Sequence, residues 1–114
     1  MTITEHSEPI RRIVALLAEQ RYEDVEQLCP GSRVGAQQLK AAVAEYGRTI
    51  VPLPQEGISL IDSIPIQNAQ PSAWSVVVPL FTREEGRSDL SLELTVTQLQ
   101  EGSVDIQVDG LHVL

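Results

Sequence analysis

The apolar residues change period part-way along the chain. Up to residue 46 they recur every three or four positions, and from residue 58 they fall on every second one. The first spacing predicts helices buried along one stripe, and the second predicts strands buried on one face. Ile10, Ile13, Val14 and Leu17 form the first stripe, with Arg11, Arg12 and Glu19 off it. Ser7 is the expected cap of that helix, and Glu8 and Pro9 suit its first turn. A second, short helix is expected from Tyr22 to about Leu28, with Tyr22, Val25 and Leu28 inward; Cys29-Pro30-Gly31 ends it, because proline cannot continue a helix. A third is expected from about Ala36 to Tyr46, with Leu39, Ala42, Val43 and Tyr46 inward and Gly47 closing it in the left-handed conformation.

Thr49 to Pro54 reads as an extended connector, since two prolines so close together disfavour both a helix and a central strand. Four strands then follow. Ile58–Ile66 is the first, placed at an edge by Pro65. Ala73–Thr82 is the second, with Trp74, Val76, Val78 and Leu80 on one face. Asp89–Leu99 is the third: Leu90, Leu92, Leu94 and Val96 alternate with Ser91, Glu93, Thr95 and Thr97. The fourth starts at Val104. Gly86 and Gly102 supply the intervening turns, Gly86 with a positive φ. At Gly110 the apolar residues move from even to odd positions, which predicts a β-bulge. The terminal strand, ending at Leu114, is expected to be docked. The expected fold class is α+β: two to three N-terminal helices packed on one face of a four-stranded antiparallel meander sheet, cone-like. One domain is expected over residues 1–114, helical over about 8–46 and sheet over about 58–114.

Charge sharpens this picture. The chain carries a formal charge of -8, unevenly placed. Residues 1–50 hold six basic and seven acidic groups, whereas residues 51–114 hold two basic groups, Arg83 and Arg87, against nine acids. Nucleic acid and anionic membranes both reward basic patches, so neither is an expected partner. An acidic sheet attracts a basic protein and speeds its encounter, while net charge also serves solubility alone. The one cysteine, Cys29, allows no internal disulfide and reads as a buried structural thiol. The opening residues Met1 to Pro9 lack the basic and apolar regions of a signal peptide, and no apolar run is long enough to span a bilayer. A soluble, cytoplasmic protein is therefore expected.

Candidate chemistry is sparse. The two histidines, His6 and His112, lie at opposite ends, without ligand spacing, and there is no Gly-rich phosphate loop, Rossmann fingerprint or nucleophile elbow. No metal, no cofactor and no catalytic set is expected. His6 is expected in a solvated lead-in. His112 and Asp109 would form an acid–base pair if the bulge brings them to one face, and otherwise His112 is a surface residue. Trp74 is expected in the core, its N–H seeking an acceptor, or else in a pocket wall. Glu93, Thr95, Asp105, Gln107 and Asp109 share the opposite sheet face, which is solvated if open and basic in the Brønsted sense if covered. The densest polar cluster is Arg83, Glu84, Glu85, Arg87 and Asp89 around Gly86. It reads either as a recognition loop or as a turn in which Arg87 neutralises Asp89 or Glu85.

The segment from Trp74 through Leu80-Phe-Thr-Arg-Glu-Glu-Gly-Arg-Ser-Asp-Leu-Ser-Leu-Glu93, closed by Asp109-Gly-Leu-His-Val-Leu114, resembles a family of small bacterial domains of unknown function. The resemblance includes the Glu45-Tyr46-Gly47 helix end and so covers nearly the whole chain; this chain has Phe81 where members often carry tryptophan. The order of helices and sheet is also similar to cystatin-like cones of the nuclear-transport-factor-two type, a fold that hosts enzymes and binders alike. The leading expectation is a non-enzymatic protein-interaction module, of immunity or accessory type, binding a basic protein through its acidic sheet face or the 83–89 turn. The alternatives are a cone-fold enzyme or ligand binder with a pocket near Trp74, Asp109 and His112, and a homodimer formed sheet to sheet.

Overall fold

The computed structural model describes residues 6–113. The expectations for Met1–Glu5 and Leu114 fall outside that span. Helix α1 is Ser7–Ala18 and buries Ile10, Ile13, Val14 and Leu17, the stripe its spacing predicts, together with Leu16. Its cap position is His6 instead of Ser7, because Ser7, Glu8 and Pro9 all tolerate the first turn. His6 is itself buried, not solvated. The helix closes through Gln20, at φ 61. Gln20 N–H donates to Leu17 C=O at 3.0 Å and Arg21 N–H to Leu16 C=O at 2.9 Å. That pair of bonds is a Schellman closure, usually made by glycine.

Helix α2 is Tyr22–Leu28. Residues three apart drift about 60° around a helix. Val25 is therefore buried, Tyr22 is half-buried and Leu28, expected inward, is 46% exposed. The loop that follows is stitched to the sheet. Ser32 Oγ donates to Cys29 C=O at 2.7 Å and accepts from Val108 N–H at 2.8 Å, while Arg33 N–H donates to Val108 C=O at 2.9 Å. Helix α3 is Ala36–Tyr46, ended by Gly47 at φ 74.

Strand β1 is Ile50–Val51, inside the expected connector, and α4 is the single turn Gln55–Ile58. Strand β2 is only Asp62–Pro65, shorter than the expected 58–66. Ile58 and Ile61 are both buried and three apart, which is helical spacing, so the apolar run there splits between a helical turn and a strand. Gly57 lets this turn approach the sheet: a Cβ there would lie 2.6 Å from Leu53 Cδ1 and 2.9 Å from Phe81 Cε1. Strands β3 (Ala73–Thr82), β4 (Gly86–Gln98) and β5 (Val104–Val113) complete the sheet. The open antiparallel sheet runs β1-β3-β4-β5, with β2 also on β3, giving five strands instead of the expected four.

Val76, Val78, Leu92, Leu94, Val96 and Val108 are all but fully buried on the helix-facing side of this sheet. The opposite side carries Ser75, Ser91, Glu93, Thr95 and Gln107. The bulge expected at Gly110 is present. Glu93 pairs with Gly110 and Leu94 with Val108, which leaves Asp109 as the extra residue.

Candidate functional site

The hairpin turn between β3 and β4 spends its acids internally. Tyr46, in the last turn of α3, donates its hydroxyl to Glu85 Oε1 at 2.8 Å and accepts from Asp89 N–H at 3.2 Å. Thr82 Oγ1 also donates to Glu85, at 3.1 Å, and accepts from the Glu85 N–H. Glu84 accepts from the N–H and the hydroxyl of Thr49, each at 2.8 Å. Those bonds hold the Glu84 carboxyl below the ordinary glutamate value of 4.5. Ser88, buried, donates to Leu80 C=O at 2.8 Å and accepts from Leu90 N–H at 3.1 Å. Gly86 takes φ 73, as its turn requires. The turn motif is thus a clasp between α3, β1 and the β3–β4 hairpin. Among the described residues Arg87 forms no ion pair with Asp89 or Glu85, and its side chain and that of Asp89 stay exposed.

Arg87 and Asp89 instead border a hollow of about 500 Å3 with Leu60, Asp62, Val77, Pro79, Ser88 and Ser91. Beside it the apolar side chains of Leu60, Ile64 and Ile66 are 37%, 60% and 41% exposed. Ile64 stands on β2, which pairs with β3 along one side only. The sequence signal for this patch was present: Ile64 and Ile66 share a parity on either side of Pro65, the residue that marks an edge.

At the bulge, His112 Nε2 contacts Glu93 Oε1 instead of Asp109. Their partner strands explain it. His112 sits opposite Ser91, two residues from Glu93 on the same sheet face, and Gly110 leaves room for the imidazole, since a Cβ there would lie 2.9 Å from His112 Cε1. Asp109 turns to Thr95, whose hydroxyl donates to Oδ2 at 2.6 Å. Asp109 Oδ1 is buried without a hydrogen-bond partner, and Arg33 Nε stands 3.7 Å from it. Trp74 pairs with Val96 and packs, half-buried, against the helix-side core. Thr95, and with it Asp109, faces the other way, so the sheet separates Trp74 from Asp109.

A third feature lies on the helix side. Arg11, Arg12, Ile13, Leu28, Cys29, Leu53 and the start of β5 border a groove of about 780 Å3. Cys29 is buried, and burial, with a smaller contribution from the Asp105 charge, pushes its thiol up to about 11. It is a protonated core thiol near neutral pH and a poor nucleophile. Among the described residues no group of three or more His, Cys, Asp or Glu is placed to hold a metal ion, and no helix is long and apolar enough to cross a membrane.

A family model described as a domain of unknown function, DUF7668, matches residues 14–114. The chain belongs to that family. The DUF7668 match spans the clasp, the hollow and the bulge together. No curated protein and no solved structure matches the chain, so the likeness to cystatin-like cones gains no support from a structural relative.

Proposed function

We propose that this DUF7668 domain is a non-enzymatic protein-interaction module that takes a basic partner on the β2 edge and the hollow beside it. The observation that carries the reading is one of composition at one place. Exposed Leu60 lines the hollow with Asp62 and Asp89, exposed Ile64 and Ile66 follow Asp62 at the same parity along and just past β2, and neither acid is in an ion pair among the described residues. An apolar centre with a charged rim is the anatomy of protein contacts. The acids steer a basic partner and the apolar side chains hold it. Glu84 and Glu85, occupied in the clasp, contribute through the position they give Arg87 and Asp89.

The test is capture of basic proteins from lysate at low and high salt by wild-type chain and by two variants, Ile64→Lys and the pair Asp62→Lys with Asp89→Lys. A basic protein released by salt and lost to both variants supports the reading. A partner that both variants keep removes it, and so does a chain that dimerises through this edge.

A further inference from the structure

We infer that the groove between α1 and the start of β5 is a binding site for a single-chain amphiphile with one carboxylate head. This groove shares no residue with the hollow beside β2, so the inference stands apart from the proposed partner surface. Its volume, about 780 Å3, lies within the range of small-molecule sites, roughly 300–1,000 Å3. Ile13, Leu53, Cys29 and Ile106 are buried at its base. Leu28 at 46% exposure and half-buried Val104 stand on its wall. These two are apolar groups facing open space, and covering them is favourable. Leu28 is the position whose helical spacing predicted burial, and it faces the groove without a cover from the described chain.

The charges on the wall select the ligand. Arg11 and Arg12 come from α1. Arg11 Nη2 donates only a long bond, 3.4 Å, to Leu53 C=O, and neither arginine forms an ion pair among the described residues. Guanidinium groups with open donors bind a carboxylate in fork geometry. Glu8, exposed on the first turn of the same helix, and Asp105, beside Cys29, are the acids of the lining. Asp105 repels a second anion near the start of β5, which disfavours polyphosphates and dicarboxylates. One carboxylate at the arginines, with an alkyl chain over Leu28 and Ile106, meets the cations and the apolar wall, while Glu8, exposed at the rim, keeps its charge in water. The Cys29 thiol is protonated and buried, so binding is non-covalent.

The experiment is an NMR titration of the 15N-labelled chain with octanoate, octan-1-ol and octylamine, each below its aggregation concentration. Octanoate is expected to shift the amides of Ile13, Leu28, Val104 and Ile106, octan-1-ol to bind more weakly and octylamine weakest. The double variant Arg11→Gln with Arg12→Gln is expected to weaken octanoate about tenfold, as the loss of a charge-assisted hydrogen bond implies, while octan-1-ol binding stays unchanged. Thermal melting of that variant checks its folding, and Leu28→Glu, an exposed position, provides a second block to the alkyl chain. The Asp62 and Asp89 variants are expected to bind octanoate as wild type does. Absence of groove shifts with octanoate overturns the inference, as does equal binding of octanoate and octylamine or an octanoate affinity that survives loss of both arginines.

Discussion

Two acidic clusters, one at the turn that leads into β4 and one where β4 meets β5, behave in opposite ways. At the hairpin turn, Glu84 and Glu85 accept from four donors, the Thr49 N–H and the hydroxyls of Thr49, Tyr46 and Thr82. At the bulge, among the described residues, Asp109 keeps one oxygen buried with no hydrogen-bond partner and Glu93 pairs with a half-exposed histidine. Both clusters look alike as a list of residue types. The difference is in what the fold places beside them: a helix end and a strand start at the turn, and an irregular edge at the bulge. The lesson is that the densest polar motif of this chain is accounted for by architecture. Specific sequence, in this case, marks a specific set of structural partners.

The largest expected effect is at the turn. Ser88→Ala removes a buried hydroxyl that serves both Leu80 C=O and Leu90 N–H, leaving both groups unpaired. It is expected to cost about 2–3 kcal/mol in urea unfolding, and a cost near zero would show that the clasp does not hold the hairpin. Tyr46→Phe removes the bonds to Glu85 and Asp89 at an exposed site and is expected to cost about 1 kcal/mol by the same measurement.

Acid sharpens the comparison further. The folded Glu84 carboxyl lies below its ordinary value of 4.5, so its stabilisation is present above that value and is lost as pH falls through the folded value. Urea midpoints of wild type are expected to fall between pH 5 and strong acid more steeply than those of Glu84→Gln. Parallel curves would deny the Thr49–Glu84 bonds a role. Cys29 has the opposite sign. Its thiol is raised from 9.0 to about 11, so stability is lost as pH rises from 9.0 toward 11, and Cys29→Ala is expected to flatten that alkaline slope.

The smallest effect is expected at the bulge. Asp109→Asn keeps an acceptor for the Thr95 hydroxyl and removes a charge whose other oxygen has no partner. Its expected change in stability is within about 0.5 kcal/mol, the range of ordinary surface substitutions. A loss as large as that of Ser88→Ala would mean that the Arg33 contact matters more than its 3.7 Å separation suggests.

Periodicity made much of the fold legible. The stripe of α1, the glycine end of α3, the alternation of β4 and the parity slip at residues 109 and 110 were all readable, because each is written within a few consecutive residues. The segment 49–66 was not. Strand β1 exists because Ile50 and Val51 find Thr82 and Phe81 across a gap of some thirty residues, and α4 exists where Gly57 fits against Phe81. The site residues divide the same way. The acids of the 83–89 turn stood out by density, but density does not tell an acid that is free from one that is occupied. The groove was hidden because Arg11 and Arg12 read as the wet side of α1 and Leu28 as the dry side of α2.

By itself, the order of residues determined helices first, sheet second, the places where the chain turns, and the bulge near the end. Those follow from backbone geometry and from local alternation of apolar and polar side chains. Only the tertiary structure decided that Tyr46 meets Glu85, that Thr49 meets Glu84, that Trp74 and Asp109 lie on opposite faces, and that Leu28 opens onto a groove. Each of these joins segments distant in sequence, or depends on what covers a surface. Such contacts form when the whole core closes, and no local period encodes them.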